Sequence, residues 1–314
     1  MMRVGILGAG IAGTTLAWRL AGAGVRVELA TGPPGRTDAT AVSGGAVRSY
    51  DPDPVQRCLA TASLAELRGS PALLEWSRFR PMPTVLVGEP GPLGTGDLEG
   101  LGWAGLAAGT TAVRDDTGGR IDVAALRDAL LRDLEGRPGA AIGQRLSGEP
   151  DVLVYATGAW TPALLARAGL ATLDLKVKAI RYTVHRLLGP PPPIFCDGPL
   201  YGIPLGDGRL IAGVATDEWG VEPGAPPTAP PADVAALLGR RLPGLRIGPP
   251  LGRADATDCY ADPPVLALRE VPGTGGRMHV FTGGSGGAAK TALAAAARAT
   301  DQLMHIQEEA RATH

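Results

Sequence analysis

Val4-Gly5-Ile6-Leu7-Gly8-Ala9-Gly10-Ile11-Ala12-Gly13 sets three glycines at the spacing G-x-G-x-x-G directly behind a short apolar run. Residues 2–7 read as a buried parallel strand. Residues 14–24 read as a helix, with Leu16, Ala17 and Leu20 on one face and Gly22 and Gly24 closing it. Residues 25–29 alternate as a second strand. A strand, a glycine loop, a helix and a second strand within about 30 residues make a βαβ unit, the context in which this spacing predicts a dinucleotide site. Gly8 allows the tight turn, Gly10 lets the backbone approach a pyrophosphate, and Gly13 lets helix and strand pack closely. Ile11 and Ala12 lie where the N–H groups and dipole of the helix start attract phosphate.

The second strand departs from the usual pattern. An acidic residue about 20 positions on ordinarily binds the ribose hydroxyls. That place holds Ala30, followed by Thr31, while Glu28 lies two residues early on the same strand face. The ribose is therefore expected to be held by Thr31 or by backbone groups around Ala30, or to be bound more weakly.

Outward from this unit, periodicity predicts helices over 54–68, 121–135, 162–168, 232–241 and 288–310, and strands over 84–87, 151–156, 176–184 and 278–282. Residues 201–214 read as a hairpin turning at Gly206-Asp207-Gly208. Residues 31–45 and 88–109 read as loops, 190–193 as a proline connector, and 220–231 as a proline-rich mobile stretch. The fold class that fits is α/β: a doubly wound, Rossmann-like domain interrupted by a β-rich second domain over the carboxyl edge of its sheet. The first domain is expected to comprise 1–64, 116–175 and 252–314, and the second 65–115 and 176–251.

Composition narrows the function. The chain has 314 residues, 45% apolar and 19% charged, which indicates a globular domain or two. A formal net charge of −1 provides no global attraction for nucleic acid or an anionic membrane, and 4% aromatics gives no stacking surface for single strands. Cys58, Cys196 and Cys259 are far apart and odd in number, so neither a zinc site nor a disulfide framework is expected. No run reaches the roughly 18 apolar residues of a membrane span, and the N-terminal stretch passes straight into the glycine pattern rather than forming a signal peptide. A cytoplasmic protein is expected.

Five segments, in order, resemble the family of D-amino-acid oxidase, glycine oxidase and sarcosine oxidase. The first is residues 8–29. The second is Ser43-Gly44-Gly45 leading to Arg48, similar to the family's loop approaching the flavin. The third is Ile121-Asp122-Val123 opening a helix. The fourth, residues 151–162, resembles the family's "D-x-V-V-x-A-T-G-A-W-S-P" almost position for position and includes Thr157, Gly158 and Trp160. The fifth runs from Thr282 through Gly284, Ser285, Gly286, Gly287 and Ala288 to Lys290, similar to the family's C-terminal loop whose amides meet the flavin. The resemblance implies FAD as the cofactor, and hydride transfer to it from the carbon beside an amine nitrogen, giving an imine. The flavin would then be reoxidised by oxygen or another acceptor. It is weakest over 65–115 and 185–250, where the second, substrate domain is expected, and that domain looks trimmed.

The same resemblance implies that Arg48 and Lys290 bind a substrate carboxylate, with Arg253 a further candidate and Tyr201 over the flavin face. A guanidinium fork and an ammonium suit a carboxylate. The family's histidine in the C-terminal loop is replaced around Gly287, and the offset of Cys259 does not match a covalent attachment, so non-covalent FAD is expected. His185 and His279 read as structural or surface residues. The leading reading is an FAD-dependent amine or amino-acid oxidase or dehydrogenase, with a biosynthetic pathway as one setting for it. The alternatives are an FAD-dependent monooxygenase, disfavoured by Gly283-Gly284-Ser285 where such enzymes carry G-D-A, and a non-catalytic flavin-binding accessory protein. An NAD-linked dehydrogenase would not explain residues 151–162.

Overall fold

The computed structural model describes residues 2–312 apart from 34, 36 and 226–232, and side chains as far as 306. The first half runs β1 (Arg3–Leu7), α1 (Ile11–Gly22), β2 (Arg26–Ala30), β3 (Ala46–Val47), α2 (Pro54–Gly69), α3 (Pro71–Ser77), β4 (Arg80–Pro81), β5 (Thr84–Val87), α4 (Thr95–Gly100), β6 (Ala112–Asp115), β7 (Gly119–Arg120), α5 (Val123–Glu135), β8 (Ala140–Gly143) and β9 (Val152–Tyr155). The second half runs α6 (Thr161–Arg167), β10 (Leu175–Leu187), β11 (Ile194–Asp197), β12 (Leu200–Pro204), β13 (Arg209–Val214), α7 (Val234–Arg241), β14 (Ile247–Ala261), β15 (Ala267–Glu270), β16 (Met278–Thr282) and α8 (Ala288–Ala312).

Six strands form one sheet in the order β15-β16-β9-β1-β2-β8, parallel except for the edge strand β15. Its central strands are apolar on both faces because helices cover both. Val4, Ile6, Leu29 and Val154 are fully buried and share a core with Leu16 and Leu20 of α1, Leu130 of α5 and Ala296 of α8. The βαβ unit, the strand near 151 and the strand near 280 thus return to one sheet, as the sequence predicts. Helix α1 begins at Ile11 rather than near 14. Gly10 is its extended N-cap and offers no side chain, but Thr40 Oγ1 accepts from the Ile11 N–H at 3.0 Å. That partner lies in the following loop, where no periodic signal marks it.

Seven strands form a second sheet, β14-β10-β13-β12-β11-β5-β6, antiparallel except where β11 meets β5. Strands β3, β7 and β4 make a small third sheet. The hairpin of β12 and β13 turns at the expected residues. The fifteen-residue β14 has no periodic signature in its first half, which carries Gly and Pro and is exposed over residues 249–253. It is an edge strand, where proline is tolerated because one side makes no ladder, and β10 holds it along nearly its whole length, from Leu187↔Ile247 to Leu175↔Ala261.

Three expected boundaries fall inside elements, that at 175/176 by a single residue at the start of β10. Position 64/65 lies within α2, and Leu67 and Leu73 just beyond it sit in the core of the six-stranded sheet. Position 251/252 lies within β14. The loop expected over 88–109 contains α4, whose Asp97 carboxylate accepts from the Gly94 N–H at 2.9 Å. Of the proline-rich 220–231, positions 226–231 lie outside the described residues, as does position 232 of the expected 232–241 helix, which begins at Val234.

Candidate functional site

The carboxyl ends of β1, β2 and β9 and the loop after β16 face the seven-stranded sheet across a cavity of about 1190 Å³. That exceeds the roughly 300–1,000 Å³ of ordinary ligand pockets and has room for a cofactor and a substrate together.

Gly8, Gly10, Ile11 and Ala12 line one wall. Gly8 has φ +105, and a Cβ there would lie 2.5 Å from the Ala156 carbonyl oxygen, so only glycine passes between the ends of β1 and β9. Gly13 does not line the cavity. A Cβ on it would press into the Gly8 carbonyl and meet Ala156 Cβ at 3.0 Å, so Gly13 sets the approach of α1 to the sheet, as its spacing predicts. The first turn of α1 contains no acidic side chain, and its N–H groups have no helical acceptors. The Ile11 N–H is taken by Thr40, and the glycine cradle with the rest of this helix start fits a pyrophosphate.

Ala30 and Thr31 line the cavity as well, and the Thr31 N–H donates to the Gly143 carbonyl at 2.8 Å. Glu28 does not. It is buried against Arg3 and the Ser147 backbone, and those hydrogen bonds offset its desolvation and hold its carboxyl below the usual range. Asp38, Arg127 and Asp128 also line the cavity; Arg127 lies 4.0 Å from Asp38 and 2.7 Å from Asp128. These carboxylates are absent from the sequence reading because they come from a loop and from mid-α5 rather than from the strand end.

Ser43, Gly44, Gly45, Thr157, Gly158, Trp160 and the run from Gly284 to Ala288 complete the expected cofactor-facing set along the wall. Gly45 takes φ +73, and the Arg120 guanidinium donates to the Gly44 carbonyl at 3.3 Å and to the Leu205 carbonyl at 3.2 Å, pinning this loop beside β12. On the other side, Asp258 of β14 accepts from the Gly286 N–H at 3.0 Å and from the Cys259 N–H at 2.8 Å, and burial pushes its carboxyl up. Gly283, Ser285 and Gly286 all have positive φ, which turns this loop before α8 begins.

Of the four catalytic candidates, Arg48, Lys290 and Tyr201 line the cavity and Arg253 does not. Arg253 lies in the exposed stretch of β14, with its guanidinium 2.8 Å from Asp255, too far along the strand to reach the wall that Asp258 forms. The Tyr201 hydroxyl donates to the Arg181 carbonyl at 3.1 Å, and burial pushes the phenol well above its usual range. Lys290 is buried on the first turn of α8 and pairs with Asp51, which the sequence reading does not single out. Arg48 Nη2 lies 3.7 Å from the same carboxylate. Burial pushes the Lys290 ammonium down, Arg48 adds to this, and Asp51 opposes it.

Neither His185 nor His279 lines the cavity; both are buried. Cys196 lines it and Cys259 does not, and burial raises the Cys259 thiol to about 11. Among the described residues no group of His, Cys, Asp and Glu is arranged to hold a metal, and no helix is long and apolar enough to cross a membrane.

Known structures share this arrangement. The chain is similar to iminodiacetate oxidase from Chelativorans sp. BNC1 (TM-score 0.73, 20% identity, 96% of this chain and 95% of that one). It is similar to glycine oxidase from Geobacillus kaustophilus (TM-score 0.75, 18% identity, 96% and 95%). It is also similar to L-proline dehydrogenase from P. horikoshii (TM-score 0.78, 16% identity, 96% and 93%). At these identities the likeness is one of fold. No curated protein matches the chain. The family described as "DAO: FAD dependent oxidoreductase" matches residues 3–302, from β1 well into α8. With the glycine cradle, the two facing sheets and nearly the whole chain accounted for, this protein belongs to the DAO family of FAD dependent oxidoreductases.

Proposed function

We propose that the protein oxidises the C–N bond of a small amine or amino acid to an imine, in a cavity shared by the cofactor and the substrate. The carrying observation is that one continuous cavity touches both the Gly8–Ala12 cradle and the inner face of the seven-stranded sheet, where Tyr201, Ile180 and Ile203 lie. FAD supplies the hydride acceptor when bound. Gly8, Gly10, Ile11 and Ala12 would hold its pyrophosphate, Thr31 and the backbone around Ala30 its ribose, and Gly284–Ala288 and the Ser43–Gly45 loop its ring end. The substrate loses a hydride from carbon and a proton from nitrogen. Leu86, Phe195 and Ile211 on the substrate side keep water away from the reacting carbon. Tyr201 stays protonated, with its proton committed to the Arg181 carbonyl, so it positions rather than titrates.

In this reading the six-stranded sheet carries the cofactor and the seven-stranded sheet walls the substrate. FAD is bound without a covalent link, since Cys259 lies off the cavity as a protonated thiol. A reducing cytoplasm suits three cysteines that are all unpaired. The test is direct. Protein purified with FAD is yellow, and anaerobic addition of the right amine bleaches it. Colourless protein without affinity for FAD overturns the proposal, and bleaching by NAD(P)H alone assigns a monooxygenase instead.

A further inference from the structure

Arg48 and Lys290 reach the cavity from nearly opposite ends of the chain, on the turn after β3 and on the first turn of α8. Two cations so placed form by their chemistry a receptor for a carboxylate. The protein already fills it. Asp51 Oδ2 accepts from Lys290 Nζ and lies 3.7 Å from Arg48 Nη2. The three side chains are 7%, 8% and 14% exposed for Asp51, Lys290 and Arg48. Asp51 is fixed in place: its Oδ1 accepts from the Asp53 N–H at 3.1 Å, and its carbonyl accepts from Arg57 Nε at 2.7 Å. The preceding N–H, of Tyr50, donates to Asp115 at 2.7 Å, and Arg48 Nε donates to the Tyr50 carbonyl at 3.0 Å.

We infer that the substrate bears no free carboxylate beside the reacting C–N bond: it is an amine, or an amino compound whose carboxyl is masked as an amide or ester. This rests on the reading of the cavity as the oxidation site. An incoming carboxylate has two options here. It can displace Asp51, which strands a buried charge, and it must do so while losing the translational freedom that the tethered Asp51 does not lose again. Otherwise it can crowd beside Asp51, adding a like charge where Glu89, 3.2 Å from the Tyr50 hydroxyl, already lines the cavity. Two further cations on this side are engaged too. Arg181 is paired with Glu218, and the Lys178 ammonium lies 4.6 Å from the Trp219 ring centre. An uncharged group meets none of these costs and finds Leu86, Phe195 and Ile203 nearby.

The test is calorimetric titration of the FAD-loaded protein with benzoate, in the wild type and in Asp51→Asn, with Asp51→Glu as the charge-preserving control. The expected result is that Asp51→Asn binds benzoate at least about 10-fold more tightly than the wild type, by opening the cation pair, while Asp51→Glu gains nothing. Equal affinity in wild type and Asp51→Asn, the absence of binding in both included, overturns the inference. The wild type gives a second measurement that needs no variant to fold: anaerobic bleaching by phenylalaninamide and by phenylalanine, each as both enantiomers. Faster bleaching by the amide is expected, and equal or faster bleaching by the free acid overturns the inference. Failure to take up FAD overturns the flavin reading instead, and the same titration run on the flavin-free protein, which reads heat rather than colour, still decides the role of Asp51.

Discussion

Replacing Gly8 with alanine tests both the cradle and the packing behind it. The new Cβ would lie 2.5 Å from the Ala156 carbonyl oxygen, 2.8 Å from its carbon and 3.0 Å from Thr157 Cα, and ordinary contact begins at 3.4 Å. The ends of β1 and β9 must therefore part by nearly 1 Å. Overpacking of this kind costs about 1–3 kcal/mol, and an alanine held at φ +105 adds about 1–3 kcal/mol. We expect a loss of about 4 kcal/mol. Two other glycines separate the contributions. Gly208 has φ +78 with nothing within 4 Å of a Cβ, so Gly208→Ala reports the backbone strain alone, about 1 kcal/mol. Gly239 lies in α7 with open space around it, so Gly239→Ala stabilises by about 0.5–1 kcal/mol. The assay is urea unfolding of the three variants, with flavin retention followed by visible absorbance. A shift of nearly 1 Å also loses at least one charge-assisted hydrogen bond to phosphate, so FAD affinity falls about 10- to 100-fold in Gly8→Ala and stays unchanged in the other two. Gly8→Ala protein that is as stable as Gly208→Ala and keeps its flavin would refute the reasoning.

Asp115 holds the turn that carries Arg48 and Asp51. Burial pushes its carboxyl up, but hydrogen bonds from Thr117 and the Tyr50 N–H outweigh this and leave it below the usual range. Its stabilising contribution is present above the unfolded value near about 3.9 and is lost as pH falls through the lower folded one. Asp115→Asn should therefore cost about 2 kcal/mol at neutral pH, and the gap to wild type should close below about pH 4; a gap constant with pH in denaturant titrations would contradict this. Arg241 forks onto Asp197 at 2.7 and 2.8 Å and donates to the Gly105 carbonyl at 2.6 Å. Arg241→Ala strands a carboxylate that is 9% exposed, so a loss of about 3 kcal/mol is expected, with Arg241→Lys recovering little of it because the fork is gone. A thermal shift near zero for either variant argues against the clamp. Acid precipitation should leave FAD in the supernatant of wild type and of Cys259→Ala alike, and colour that stays with the wild-type pellet but not with the variant would identify a covalent link.

The glycine cradle and its sheet were legible because their determinants are local. Gly8, Gly10 and Gly13 act through backbone geometry within one βαβ unit, and the 151–156 and 278–282 strands announce themselves by continuous apolar runs. Contacts between distant parts of the chain were not, for equally physical reasons. Thr40 caps α1 across 29 residues, and Asp51 meets Lys290 across 239. Neither pairing leaves a periodicity in the chain. Arg48 and Lys290 could be picked out by type and place, but whether two cations form an empty receptor or a filled one depends on a third side chain that only folding brings to them. Arg253 illustrates the converse: an arginine in a suggestive motif, carried by its strand to the exposed edge and matched there by Asp255.

Strand β14 shows why the cofactor and substrate sides do not separate at a point in the chain. Its first residues lie at the solvent edge of the seven-stranded sheet, five residues past Arg253 its Asp258 accepts from the Gly286 N–H of the loop that opens α8, and Tyr260 forms a bridge with Gly284. A single strand therefore links the seven-stranded sheet to the glycine loop that opens α8. Lys178 of β10 pairs with Asp258, Asp258 accepts from Gly286, and Lys290, three residues past Gly287, holds Asp51. The residue that fills the cation pair and the Gly284–Gly287 loop are thus joined through one chain of contacts, so a substitution at Asp258 is expected to disturb both ends of the cavity at once.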